Sequence, residues 1–133
     1  MDKKYLSKII AQDERSLQMI SALCSEAKVK AEEIRYLPKN SIFLLSLKRL
    51  SVETENKNLS INSILKFDFV NSCRSKNINI SNKDLELELL TIDIYKNKEQ
   101  FEISLIFDKN RIIELKSEII ECKLEDQNLS NET

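Results

Sequence analysis

The chain contains no glycine, no histidine and no tryptophan, and only one proline. Without glycine it can build neither a glycine-rich phosphate loop nor a dinucleotide-binding fingerprint, since both need backbone positions free of a Cβ. Positions that need a positive φ are then expected to fall to Asn or Asp. Without histidine, imidazole acid–base catalysis and imidazole metal ligation are excluded. Long apolar runs are missing too. The longest, Ile42–Leu45, falls far short of the ~20 residues a membrane-spanning helix needs. Met1-Asp2-Lys3-Lys4 leads straight into a mixed segment with no apolar signal-peptide core. A formal net charge of −1, with both signs interspersed, offers no basic stripe for nucleic acid. The expectation is a cytoplasmic protein with no membrane or nucleic-acid partner, no metal and no cofactor.

Three cysteines, Cys24, Cys73 and Cys122, form an odd set without a pairing motif, so free thiols are expected. Arg74 and Lys76 beside Cys73 would lower its pKa. No histidine can serve it as a base, and an unreactive thiol is the stronger reading. Asn58, Asn128 and Asn131 open glycosylation-type triplets that an Asn-rich composition produces by chance.

At 133 residues the chain suits one domain, which would bury roughly two thirds of its unfolded surface. That domain is expected over residues 1–126, with Gln127–Thr133 a disordered polar tail. No domain boundary and no internal repeat is visible.

The informative stretch is Val29–Glu53, which reads as two strands joined by a turn at Pro38. Phe43, Leu45, Leu47 and Arg49 share one face by the period of two. Pro38 presets φ for a type I turn, and Lys39, Asn40 and Ser41 complete a four-residue loop. That loop sets Tyr36 opposite Phe43 and Ile34 opposite Leu45. Val29 and Ala31 are out of phase with Ile34 and Tyr36, which predicts a β-bulge near Glu32 and Glu33. Arg49 is a cation with the parity of the core face.

Elsewhere, residues 4–11 read as a first strand. Asp13 is a helix N-cap, and Leu17, Ile20, Leu23, Cys24 and Ala27 form the apolar stripe of a helix over 14–25. Thr54–Asn58 is a polar turn. Leu59–Arg74 reads as strand, with Leu65, Phe67 and Phe69 on one face, and residues 77–84 as a loop. A phase switch between Leu89 and Leu90 predicts a second bulge. Phe101–Phe107 is a strand, Asp108–Asn110 a turn with Asn110 left-handed, and Ile113–Leu124 one interrupted strand or two short ones. The fold class is α+β: one N-terminal helix packed on a strongly curved, mainly antiparallel sheet or incomplete barrel of about six to eight strands. A pleckstrin-homology-like barrel is the runner-up, although its helix would sit at the other end of the chain.

The stretch A-K-V-K-A-E-E-I-R-Y-L-P-K-N-S-I-F-L-L-S-L-K-R-L-S-V-E resembles the signature of an uncharacterised alphaproteobacterial family, the domain-of-unknown-function family 2948. Ala27, Tyr36, Leu37, Pro38, Lys39, Phe43, Leu45, Leu47, Arg49 and Glu53 match it. Glu32 stands where the family has glycine, and Leu50 and Val52 where it has larger aromatics. Further matches lie at 65–68, 73–78 and 118–126. The resemblance implies a fold and a bacterial lineage and no activity.

The function expected is therefore a non-enzymatic binding or adaptor domain, using a sheet edge or apolar patch for a protein partner or self-association. The alternative is a binder of a small anionic metabolite, or an enzyme working with carboxylates, Lys and Arg, on the concave face near Arg49. Arg49, Lys39, Tyr36 and Arg74 are the candidate ligand-binding residues, and no catalytic residue is named. Asp68, Asp93 and Glu118 could do acid–base work if two converged, but their alternation with apolar residues fits solvated strand faces.

Overall fold

The computed structural model describes residues 6–54, 57–79 and 81–131, with only the backbone at 50–54, 57–59 and 129–131. Strand β1 (Lys8–Ala11) runs into helix α1 (Glu14–Leu23). Asp13 caps the helix in extended conformation, its carboxylate accepting from the Ser16 backbone N–H at 2.8 Å. That satisfies one of the donors a helix start leaves free. Leu17, Ile20 and Cys24 face the core with no exposure.

The chain then forms β2 (Ala27–Leu37), β3 (Ile42–Thr54) and β4 (Lys57–Phe67), an antiparallel meander. Tyr36 faces Phe43 and Ile34 faces Leu45, and the β2–β3 register shifts between Val29 and Ile34. The hairpin register and its bulge are those the sequence predicts. Across β3 and β4, Phe43 and Phe67 pair with ring centroids 6.3 Å apart.

After β4 the chain bends at Asp68–Phe69 into β5 (Val70–Lys76). Here the expectation of a continuous strand over 59–74 is corrected. Phe69 has φ 61 and its side chain is exposed, so the parity that linked it to Leu65 and Phe67 ends one residue earlier. A second meander follows: β6 (Glu86–Asn97), β7 (Gln100–Phe107) and β8 (Arg111–Ser117). Its register shifts between Leu89 and Thr91, where the phase switch lies. Another bend leads to β9 (Cys122–Asn131).

The sheet has nine antiparallel strands among the described residues, in the order β1-β9-β4-β3-β2-β6-β7-β8-β5, and it is not closed. The architecture is one helix on a large antiparallel sheet, with more strands than the six to eight expected. The sheet must curve strongly, since only two residues separate β4 from β5, which stand at distant places in its order. Phe43, Leu45, Leu65, Phe67, Leu105, Phe107, Leu115 and Leu124 fill the concave side with the apolar stripe of α1.

The order also contains a repeat that the residues did not reveal. Exchanging β2–β5 for β6–β9 reverses the order of those eight strands onto itself. Each unit is a three-stranded meander whose fourth strand crosses over to the other unit. β5 pairs with β8, β9 pairs with β4, and β2 and β6 meet at the axis. The two crossovers are alike: Lys66-Phe67-Asp68-Phe69-Val70 and Lys116-Ser117-Glu118-Ile119-Ile120 each expose the fourth residue and bury the fifth. The chemistry of the repeat survives in these five positions, whereas its register elsewhere is masked by bulges and unequal bends. β1 and α1 stand outside the repeat.

Two other expectations shift. The first strand begins at Lys8 rather than residue 4, and residues 1–5 lie outside the described residues. β9 continues through Asn131 in register with β4, over the stretch the sequence left as a tail, and residues 132–133 lie outside the described ones. Main-chain pairing covers the β4 edge here without asking for alternating side chains. The glycineless chain also departs from the Asn/Asp rule: of seven positive-φ residues among the described ones, Asn77 and Asn110 conform, while Glu26, Ser41, Phe69, Lys98 and Lys109 do not.

Candidate functional site

Arg49 is 7% exposed, carried inward by its parity with Leu47. Its guanidinium grips Asp126 side-on: Nε donates to Oδ1 at 3.4 Å and Nη2 to Oδ2 at 2.9 Å. Ser63 donates its hydroxyl to Asp126 Oδ1 at 2.7 Å, and the Ser7 backbone N–H donates to Oδ2 at 2.8 Å. The carboxylate thus ties β3, β4, β9 and the lead-in to β1 together. A charge so buried needs this many partners to offset its desolvation. Asp126 lies two residues past Leu124, where the alternation legible in the sequence stops, while β9 runs on to Asn131. Its parity with Cys122 and Leu124 was the available signal.

The four candidate ligand residues do not converge. Tyr36 and Lys39 lie at the β2–β3 turn, where the Tyr36 hydroxyl donates to the Val70 carbonyl at 3.4 Å. Arg49 lies six residues beyond Phe43 on β3, about 20 Å away at the strand rise. Arg74 is exposed on β5, opposite Glu114. The three carboxylates also stay apart: Asp68 and Glu118 occupy the two crossover bends, 68 beside Lys66, and Asp93 is on the outer face of β6.

The thiols are sequestered. Burial pushes Cys24 up to about 12 and Cys122 higher still, and burial raises Cys73 as well. For Cys73 desolvation therefore outweighs the expected effect of Arg74 and Lys76. Among the described residues, no group of three or more His, Cys, Asp or Glu could hold a metal ion.

The surface feature with most to offer is a groove of about 630 Å³ between α1 and the second half of β6. β2 pairs with β6 only from Ala27–Leu89 to Lys30–Glu86. Glu26 then turns away with φ 68, its N–H closing the ladder on the Leu89 carbonyl. Beyond that point no strand pairs with β6 on this side among the described residues. The Ile92 N–H instead takes the Ser21 hydroxyl of α1 at 2.8 Å. By the period of two, the N–H and C=O groups of Ile94 point the same way, into the groove, and those of Lys96 continue the same unpaired edge beyond its lining. Leu90, Asp93, Tyr95 and Glu102 line it with Gln18 and Ala22 of the helix. The Glu102 carboxylate beside Tyr95 raises the phenol, and Tyr95 and then Asn97 hold Glu102 below the usual carboxylate range. The phase switch at Leu89 marks this place in the sequence, but nothing there shows that β2 begins only at Ala27, level with Leu89.

On the other side of the axis, Lys28, Lys30 and Lys48 border a polar trough of about 770 Å³. Lys28 bonds Glu88 at 2.8 Å, which raises its pKa, and Lys30 stands opposite Glu86. The strand edge of β5 is likewise open beyond Val70, whose N–H donates to the Ser41 carbonyl.

No helix among the described residues is long and apolar enough to cross a membrane. Fold and surfaces together define a small, mainly β domain with incompletely paired sheet edges. The chain belongs to the family of proteins of unknown function DUF2948, whose model matches residues 7–133. No curated protein and no solved structure matches it.

Proposed function

We propose that this protein is a binding domain that takes an extended segment of a partner protein on an open main-chain edge of its sheet. The observation that carries this reading is the second half of β6, which pairs with β7 on one side and with no strand among the described residues on the other, so that by the period of two Ile94 and Lys96 turn main-chain donors and acceptors to an unpaired edge. Edges of this kind add strands readily, main-chain hydrogen bonds giving affinity and flanking side chains specificity. The β5 edge is a second place of the same kind. A small anion held near Arg49 has less support, because Asp126 already occupies the guanidinium fork.

The test is to purify the native protein with whatever accompanies it and compare amide hydrogen exchange with and without that partner. Slowed exchange at Ile94 and Lys96, or along Ser72–Lys76, is the expected result. A partner that slows neither edge, or a small molecule as the sole companion, would sink the reading.

A further inference from the structure

We infer that the groove between α1 and β6 receives a basic, extended segment of the partner, laid antiparallel along β6 in the line that β2 vacates. This inference rests on the strand-edge reading above and adds the place, the direction and the chemistry of the occupant.

The argument starts from the outer face of β6, which reads Glu86, Glu88, Leu90 at the bulge, Asp93 and Tyr95 from one end to the other. Where β2 is present, it answers these carboxylates with cations: Lys30 stands opposite Glu86, and Lys28 stands opposite Glu88 and bonds it at 2.8 Å. Ala27 and Val29 of the same strand turn inward and are fully buried. The existing neighbour of β6 is therefore an alternation of basic outward and apolar inward residues. At Glu26 that neighbour leaves, and the next carboxylate, Asp93, makes no ion pair among the described residues. Asp93 is exposed, and the groove lining carries a second acid, Glu102, and no lysine or arginine, while Lys96 lies beyond the lining with its ammonium over the Phe101 ring.

A strand entering here would meet the same face continued. Its main chain would bond the outward N–H and C=O groups of Ile94 and Lys96. Its inward side chains would lie against Ile94, which is only partly buried, and against Ala22 of the helix. Its outward side chains would stand beside Asp93 and Tyr95, where a cation gains both the carboxylate and the face of a ring that is 60% exposed. An acidic strand would face repulsion from Asp93 and Glu102 at the same positions. The stretch from Ile92 to Asn97 spans about 20 Å, room for five or six residues of partner.

The probes are two capped, fluorescently labelled peptides of six residues, one alternating lysine with valine and one alternating glutamate with valine. Binding to the full chain is read by anisotropy and mapped by amide chemical shifts. The lysine peptide should shift Ile92–Asn97 and Gln18–Ser25 and bind at least tenfold tighter than the glutamate peptide. Asp93→Lys, at an exposed side chain, should reverse that preference, and a thermal melt confirms that the variant is folded. Equal binding of both peptides, or a preference unchanged in Asp93→Lys, overturns the inference. Shifts confined to Val70–Lys76 overturn it too while leaving the strand-edge reading standing. The absence of shifts at either edge, with the co-purified partner also failing to slow exchange there, removes both. Concentration-dependent dimerisation abolished by Asp93→Lys would put a second copy in the groove and would also overturn it.

Discussion

An arginine that follows Phe43, Leu45 and Leu47 at alternate positions is committed to the core side before any partner is known, so its charge must be met inside. Asp126 meets it, with Ser63 and the Ser7 N–H completing the carboxylate. Breaking such a pair on one side leaves the other charge stranded, so Arg49→Met or Asp126→Leu alone should cost about 3–5 kcal/mol. The double variant strands no charge and should lose clearly less than the two losses summed, although Ser63 and Ser7 then lack their acceptor. Urea unfolding of the four proteins checks this, and additive losses would show that the pair is not coupled. Ser117 poses the opposite case: its buried hydroxyl has no hydrogen-bond partner among the described residues, at the crossover position where the other unit has Phe67. Ser117→Ala should raise stability by about 1 kcal/mol, since it removes a desolvated group that gains nothing in return. Both single variants would be read from the same unfolding curves. At this scale the inward turn of Arg49 was legible from parity. Its partner was not, because Asp126 stands 77 residues away and no spacing links the two.

Strands were legible where alternation is clean and illegible where the backbone, rather than the side chains, decides. The β2–β3 register followed from Pro38 and the phases on either side of it, and the bulge after Val29 followed from the phase error. The break at Asp68–Phe69 did not follow, since an aromatic in alternation reads as strand until its φ is known. Phe69 at φ 61 belongs to a wider consequence of having no glycine: seven left-handed positions among the described residues are filled by residues with a Cβ, and the five that are not Asn each cost about 1–2 kcal/mol. Ser41 offers the clearest test, because it closes the β2–β3 turn at φ 56 and its carbonyl accepts from Val70. Ser41→Gly should stabilise the protein by about 1 kcal/mol, net of the extra freedom glycine has when unfolded. Ser41→Val should destabilise it, since a β-branched residue tolerates this region worst. Equal melting temperatures for the two variants would show that the turn relaxes and stores no strain.

The exchange of fourth strands makes the two meanders mutually dependent. β4 has its outer edge covered by β9, and β8 by β5, so each unit alone would leave its third strand with a bare edge and its fourth strand without a ladder. The Arg49–Asp126 pair carries the same dependence into the core, with one charge from each unit. The residues that close β4 on β9 are far apart in sequence, as Leu65 and Leu124 show, so little of this can form before both units are present. The chain should therefore unfold in one cooperative transition despite its repeated topology. A sharper consequence concerns the halves. Cleavage in the exposed stretch at Ser81–Asp84, between β5 and β6, should leave the two fragments associated and the fold intact, since that segment contributes no strand pairing. Fragments 1–80 and 81–133 prepared separately should each lack cooperative melting and regain it on mixing. Circular dichroism of the separate and mixed fragments reads the result directly. A half that melts cooperatively alone would mean that its meander closes on itself, and the crossed strands would then be an embellishment on two independent units instead of the element that joins them.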